Sequence, residues 1–500
     1  MRRLAFGALL LGLWAGAAQA QTLRIGIASD PDVLDPTLSR SVAARQVFSA
    51  LCDKLIDVDA ELRFVPQLAT AWRWEEEGRA LVLTLRDGVR FHDGATMDAD
   101  AVVTGLRRHL ETPGSTRRGE LGPVREVVAT GPLEVTIRLE QPFAPLVAAL
   151  SDRAGILVSP RAAGRVNDAF AREPACAGPF RFTRRIAQDR IELERFDGYW
   201  DAARIHFDRV VYRPITDATV RAANLRAGVL EVIERVQPTD LPEMKADRRV
   251  RVISAPSLAS VYIAVNLANG PRAENPLGQD PRVREALELA IDRAMLVQVA
   301  FEGEYQPGNQ SVPPGNPFHI SALPAPARDP QRARALLREA GFPDRVKLRM
   351  SVPNTSEYTQ AAEVIQAMTA EAGIDLELQV IEVATLLRQW TAGDFESLLI
   401  AWSGRTDIDG NLWGFNACKE PLNGGRYCSP EADAALRDGR TRVDPAARQE
   451  AYGRAMRKLL ADRPYIYLWH PRILLATAAR IEGLAVVPDG LIRPQDLRLR

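Results

Sequence analysis

The chain has 500 residues, 46% of them hydrophobic and 26% charged, a globular balance that excludes a disordered, collagen-like or low-complexity protein. That length exceeds what one hydrophobic core organises, so two or three domains are expected. Lys plus Arg and Asp plus Glu are 64 each, and a net charge of +0 supplies no global field for holding nucleic acid or an anionic membrane.

In chain order, the first feature is a leader. Arg2 and Arg3 precede an apolar run from Leu4 to Ala18, and Ala18-Gln19-Ala20 puts small residues where a signal peptidase reads. The pattern predicts a signal peptide over residues 1–20, cut before Gln21, and a mature chain in an oxidising space. The run is shorter than the ~20 residues of a comfortable membrane span. No later segment reads as one.

Alternating apolar residues predict a strand over Thr22 to Ile27. The proline-bearing stretch from Ser29 to Pro36 reads as a loop, and Val42 to Leu51 as a helix. Leu81, Leu83 and Leu85 alternate with Val82, Thr84 and Arg86 in a second strand. Asp87-Gly88 then predicts a hairpin returning through Val89 to Phe91. Thr96 reads as the cap of a helix with Asp98 and Asp100 in its first turn and Val102, Val103, Leu106 and Leu110 on one face. Strands follow at Leu133 to Leu139, Phe180 to Thr183, Arg190 to Phe196 and Arg209 to Arg213, with a helix over Thr219 to Arg226. Val261 to Leu267 reads as a buried strand.

The second half alternates helices with strands. Helices are predicted at Pro281 to Phe301, Asp329 to Ala340, Glu357 to Ala372 and Ala384 to Ala392, the last three closed by Gly341, Gly373 and Gly393. Strands are predicted at Val346 to Val352, Ile374 to Val380 and Glu396 to Trp402. The alternation predicts a mainly parallel sheet covered by helices. Ligands of such sheets sit beyond strand ends, and the loop from Ser403 to Asn411 occupies such a place.

Four cysteines fall in the mature chain, Cys52, Cys176, Cys418 and Cys428, and allow three connectivities. Cys418 and Cys428 flank the turn-rich Asn423-Gly424-Gly425, which makes their pairing easy and leaves Cys52 with Cys176. No Cys-x-x-Cys exists, and the five histidines have no ligand spacing, so no metal is assigned. The sequence carries no Gly-x-Ser-x-Gly elbow, no Gly-Lys-Ser/Thr phosphate loop and no His-Glu-x-x-His. No catalytic residue and no cofactor is assigned, and nothing in these motifs argues for an enzyme.

Several segments together resemble the family 5 extracellular solute-binding proteins of ABC importers, the peptide- and nickel-binding group. They are Leu34-Asp35-Pro36, Trp72 to Glu75, Leu83 to Gly94 and Asp98 to Val102. Gly178-Pro179-Phe180 to Tyr199-Trp200, Asp329 to Phe342, and Gly393-Asp394-Phe395 to Trp402-Ser403-Gly404 continue the series in order. The resemblance implies an α/β, two-lobed class II periplasmic binding protein fold with an extra domain in the first lobe. It implies residues 21–55, 177–255 and 475–500 for the first-lobe core, 56–176 for the extra subdomain and 256–474 for the second lobe. Crossings between lobes are expected near Ala255 to Tyr262 and near His470 to Ala478. The implied partners are a small peptide or peptide-like solute and an inner-membrane ABC permease, with no nucleic acid, and the chain is expected to be a monomer.

One departure from the dipeptide-binding pattern is informative. After Trp402-Ser403-Gly404, dipeptide binders carry an Asp that pairs with the ligand ammonium; here Arg405 stands there. A guanidinium repels an ammonium and grips a carboxylate. The sequence therefore keeps two ligands open: a peptide-like solute, or a non-peptide anionic one (opine-like, glutathione-like or a metallophore) held through Arg405. The alternative role of Arg405 is to pair with Asp407 or Asp409 and shape the loop. The candidate ligand set is Arg405, Trp402, Ser403, Asp407, Asp409, Asn266 and Tyr262.

Overall fold

The computed structural model describes residues 20–166 and 168–500. The signal peptide expected over residues 1–20 lies almost wholly outside them. Two sheets organise the two lobes. The first has seven strands in the order Val250–Ala255, Ile473–Ala478, Val232–Ile233, Thr22–Ile27, Arg209–Pro214, Arg190–Arg195, Phe180–Ile186. The second has six, in the order Gln306–Pro307, Tyr465–His470, Ser260–Val265, Ser397–Trp402, Val346–Pro353, Ile374–Ile381. All six residues of Ser260–Val265, of Tyr465–His470 and of Ile473–Ala478 are buried. Strands covered on both faces read as continuous rather than alternating apolar runs, as these do.

The chain passes from the first sheet to the second at residues 256–259 and returns at 471–472. Each short connection joins a strand of one sheet to a strand of the other, and the two strands on each side of the waist pair with each other. Ser257 Oγ donates to the Pro471 carbonyl, and His470 Nδ1 lies 3.0 Å from the Ala259 carbonyl. The two crossings are thus bonded to each other.

A third sheet, antiparallel throughout, is inserted in the first lobe with the order Ala69–Glu75, Ala80–Leu85, Glu134–Leu139, Val124–Gly131. It has its own core, in which Leu81, Leu83, Val102, Leu106 and Ile137 pack together. Cys52, at the end of helix Val42–Leu51, is disulfide-bonded to Cys176, just before strand Phe180–Ile186. This bond closes the base of the inserted unit. A second disulfide joins Cys418 to Cys428 in the second lobe. No helix among the described residues is long and apolar enough to cross a membrane.

The structure corrects four sequence expectations. Val89 to Phe91 does not return as a hairpin, because both edges of Ala80–Leu85 are taken, by Ala69–Glu75 and Glu134–Leu139. Only an isolated Arg90–Thr96 bridge forms there. The following helix runs Ala99–Glu111 and is capped by Asp98, whose carboxylate accepts from Ala101 N–H at 2.9 Å, not by Thr96. Pro281 to Phe301 is two helices, Pro281–Ala290 and Arg293–Phe301. Asp292 leaves helical geometry to cap the second, while the apolar period continues across the break and hides it. The second sheet is mixed rather than mainly parallel: Val346–Pro353 pairs parallel on both sides, but Ser260–Val265 is antiparallel to both neighbours.

The disulfides close loops of very different length, with sequence separations of 124 and 10. In the chain-entropy account, replacing Cys52 and Cys176 with Ala lowers unfolding free energy by about 5 kcal/mol, and replacing Cys418 and Cys428 by about 3 kcal/mol. Reversible denaturant unfolding of the two double variants measures both losses, and a larger loss for the shorter loop would contradict this ordering.

Candidate functional site

Two adjoining cavities lie between the lobes, enclosing about 620 and 630 Å³ of space, part of it open to solvent. The first is lined by Gln46 and Glu234 from the first lobe and by Tyr305, Glu357 and Ser403 from the second. The second is lined by Arg40, Ser41 and Val42 on one side and Thr355, Leu386 and Ile400 on the other. Val42, Glu234, Arg235, Tyr358 and Ala401 belong to both, so the two form one interlobe space.

Arg235 spans that space. It follows the short strand Val232–Ile233 with a left-handed backbone, φ 50°. Its Nη1 donates to Glu357 Oε2 at 3.2 Å and to Tyr358 Oη at 3.1 Å, both in the first turn of helix Ser356–Glu371. An acid in that turn is also favoured by the helix dipole. Burial pushes Glu357 up, against the pull of Arg235, and pushes the Tyr358 hydroxyl up to about 12. Glu234 is buried and accepts from Ala28 N–H and Gln46 Nε2, each at 2.8 Å. Arg40 Nη1 reaches across to Thr391 Oγ1 at 2.6 Å. The space thus presents carboxylates and guanidiniums from both lobes, with Tyr305 and Tyr358 as aromatic walls.

The loop after strand Ser397–Trp402 borders the same seam. Asn411 organises it: Oδ1 accepts from Trp402 Nε1 and from Arg405 N–H, each at 2.8 Å, and Nδ2 donates to the Arg405 carbonyl at 3.1 Å. The Arg405 guanidinium lies over the Trp402 ring, 4.1 Å from its centroid. It turns to the first lobe, with Nε 3.5 Å from Asp152 Oδ2 and Nη2 3.9 Å from Glu120 Oε1. Ser403 Oγ accepts from Arg45 Nη1 at 2.8 Å, a second bond across the seam.

Among the sequence candidates, Trp402, Ser403 and Arg405 come together here. Arg405 does not pair with Asp407 or Asp409, because both acids are held by other arginines of the second lobe. Asp407 takes two bonds from Arg448, at 2.7 and 2.9 Å. Asp409 lies 3.1 Å from Arg440 Nε and accepts from Tyr452 Oη at 2.9 Å. Burial raises Asp409 to about 6 even so. Part of the loop is helix, Asp409–Asn416.

Asn266 and Tyr262 are placed elsewhere. Asn266 is fully buried, and its Nδ2 donates to the carbonyls of Asn269, Gly393 and Phe395, so its amide is spent on holding loops together. Tyr262 is buried edge-on against Tyr465 and Tyr467, at 5.0 and 5.5 Å, in an aromatic cluster, and lines neither cavity. The cavity residues Arg235, Glu234, Glu357 and Tyr358 escaped the sequence reading. They are distant in sequence and carry no spacing motif. The local signal was only that Glu231 and Glu234-Arg235 bracket an apolar pair. Among the described residues no cluster of His, Cys, Asp or Glu could hold a metal ion.

Comparison with known proteins agrees with this architecture. The family described as "Bacterial extracellular solute-binding proteins, family 5 Middle" matches residues 63–422. The glutathione-binding protein GsiB of Pectobacterium atrosepticum is 26% identical over 499 residues, covering 97% of this chain and 95% of that protein. The probable di/tripeptide-binding protein 5 of Pseudomonas aeruginosa is 28% identical over 527 residues, covering 98% of each. The periplasmic binding protein DppA from Helicobacter pylori, solved with the peptide STSA, superposes with a TM-score of 0.87 at 22% identity, covering 96% of this chain and 98% of that one. The fold is the two-lobed α/β fold of class II periplasmic binding proteins.

Burial also fixes a pH dependence at three histidines, His470 beside the crossings and His92 and His109 in the first lobe. His470, His92 and His109 are each pushed down to about 4, chiefly by desolvation. A folded value below the free value of about 6.5 means that the fold holds the neutral ring. Their contribution to stability is therefore complete above about pH 6.5 and lost as pH falls toward 4. Proton NMR titration of the imidazole resonances should place all three midpoints near 4, with unfolding free energy falling across that window. Midpoints above 6 would contradict the burial.

Proposed function

The chain belongs to the bacterial extracellular solute-binding proteins, family 5, and from that premise we propose that it captures a peptide or peptide-like solute between its lobes in the periplasm and delivers it to an inner-membrane ABC permease. The observation that carries this reading is the interlobe space around Arg235, closed by side chains of both lobes. A zwitterionic backbone needs an anion for its ammonium and a cation for its carboxylate. Glu234 and Glu357 offer the first, Arg235 and Arg40 the second. Relatives named for glutathione and for di/tripeptides support a ligand of this size and chemistry.

The mechanism is binding without turnover. An open form exchanges with a closed one, and a solute that touches both lobes favours closure by its differential contacts. The monomeric, mature chain from Gln21 onward is the working unit in this reading. Residues 21–55, 177–255 and 475–500 act as one lobe, carrying 56–176, and residues 256–474 act as the other. Ser403 borders the solute, with Trp402 and Arg405 beside it in the same loop and Asp407 and Asp409 holding that loop from behind.

Thermal unfolding and calorimetry with a di- and tripeptide panel test this. A peptide at about 100 times its Kd adds roughly 2.7 kcal/mol of stability. Arg235→Ala should weaken the binding peptides at least tenfold, about 1.4 kcal/mol. Unchanged affinity in Arg235→Ala would remove this space as the binding site.

A further inference from the structure

A second contact surface joins the lobes, away from the interlobe space. The inserted unit, whose base the Cys52–Cys176 disulfide ties to the first lobe, meets the second lobe through helix Arg117–Leu121 and the segment around Phe143. Arg440 is at the centre of this surface. It stands in the last turn of the second-lobe helix Pro430–Thr441, with its side chain 10% exposed. Its Nη2 donates to the Gly119 carbonyl at 2.8 Å. Its own carbonyl accepts from Ala144 N–H at 3.2 Å. Its guanidinium carbon lies 4.6 Å from the centroid of the Phe143 ring, in the inserted unit, and 3.9 Å from that of Trp413, in the second lobe.

Carbonyls in the last turn of a helix have no partner within it. Gly119 and Arg440 each carry one, and each finds its donor across the seam. A cation held between two aromatic faces is attracted to both, more strongly once water is excluded. The fit is close: a Cβ added at Gly119 would stand 2.5 Å from Glu420 Oε2, so the second lobe seats there against bare helix backbone. Second-lobe Arg405 adds ion pairs to the same unit, 3.5 Å from Asp152 and 3.9 Å from Glu120. Gly119, Phe143, Ala144 and Arg440 line neither interlobe cavity.

We propose that this surface is a latch, by which the inserted unit holds the second lobe in the closed form and sets solute affinity without touching the solute. Opening about residues 256–259 and 471–472 moves the first lobe and its inserted unit away from the second lobe, so Gly119 and Ala144 must part from Arg440. Apparent affinity scales with the population of the binding-competent form. A latch remote from the solute therefore changes every affinity by the same factor. The effect on affinity rests on the function proposed above; the latch itself does not.

Two variants test this from opposite sides of the seam, so a folding defect in one leaves the other to decide. Gly119→Leu places a side chain against Glu420, and Arg440→Gln removes the guanidinium from between the rings. The first measurement is hydrogen exchange by mass spectrometry on the mature protein, unfolded and refolded free of solute with its disulfides intact. The Ala144 amide reports opening, because its acceptor lies in the other lobe. Fragments spanning Ala144 should exchange about tenfold or more slowly in wild type than in either variant, while helix Ala99–Glu111 of the same unit exchanges alike in all three. The second measurement is calorimetry with the di- and tripeptide panel. Both variants should weaken every peptide that wild type binds, by one common factor of roughly fivefold or more. Equal exchange around Ala144 in all three proteins would overturn the latch. So would peptide affinities that stay unchanged or fall unequally. Faster exchange in both variants, with no peptide bound by wild type, would keep the latch and overturn the peptide reading.

Discussion

The waist between the lobes is the constraint on which the rest of the structure depends. The chain crosses it twice, at residues 256–259 and 471–472, and the crossings bond to each other through Ser257 with Pro471 and His470 with Ala259. Three of the four strands that flank it, Ser260–Val265, Tyr465–His470 and Ile473–Ala478, are buried along their whole length. Any opening of the lobes must pivot there, because the flanking strands are paired within their sheets, Val250–Ala255 with Ile473–Ala478 and Ser260–Val265 with Tyr465–His470. The waist also decides which residues face each other: the end of Val232–Ile233 meets the start of helix Ser356–Glu371, and helix Val42–Leu51 meets the loop after Trp402.

What crosses the cleft away from the waist is mostly polar. Arg235 with Glu357, Arg40 with Thr391, Arg45 with Ser403 and Arg405 with Asp152 are all contacts that water can replace when the lobes part. Such contacts are individually weak in net terms, since solvation lost on closing offsets what the pairing gains. The lobes themselves are held by buried cores of Leu, Ile, Val and aromatic side chains, which do not exchange in this way. This division gives a molecule whose lobes are rigid and whose closure a bound solute can bias.

Local signals read from the sequence located most elements well. Thr22–Ile27, Val42–Leu51 and Ile374–Ile381 lie where periodicity and glycine stops put them, because each is set by its own residues. Failures came where tertiary pairing decided. The turn at Asp87-Gly88 looked like a hairpin, but two distant strands had claimed both edges of Ala80–Leu85. Asp292 was hidden because one apolar face runs through both helices beside it. The site divides in the same way. The Trp402-to-Asn411 loop was legible as a strand end, whereas Arg235 and Glu357 become neighbours only when two lobes meet. Asn266 ends a strand beside a loop, which fits a ligand contact as well as a loop clamp, and only its three carbonyl partners decide for the clamp.

The central claim is that a small solute occupies the space between the lobes. Native mass spectrometry of the mature protein taken from the periplasm, followed by denaturing release and fragmentation, tests it most directly. The account predicts a discrete extra mass that fragments as a short peptide-like molecule and is depleted in Arg235→Ala. A protein that carries no extra mass and acquires none from a periplasmic extract, or one whose mass is carried undiminished in Arg235→Ala, would contradict it.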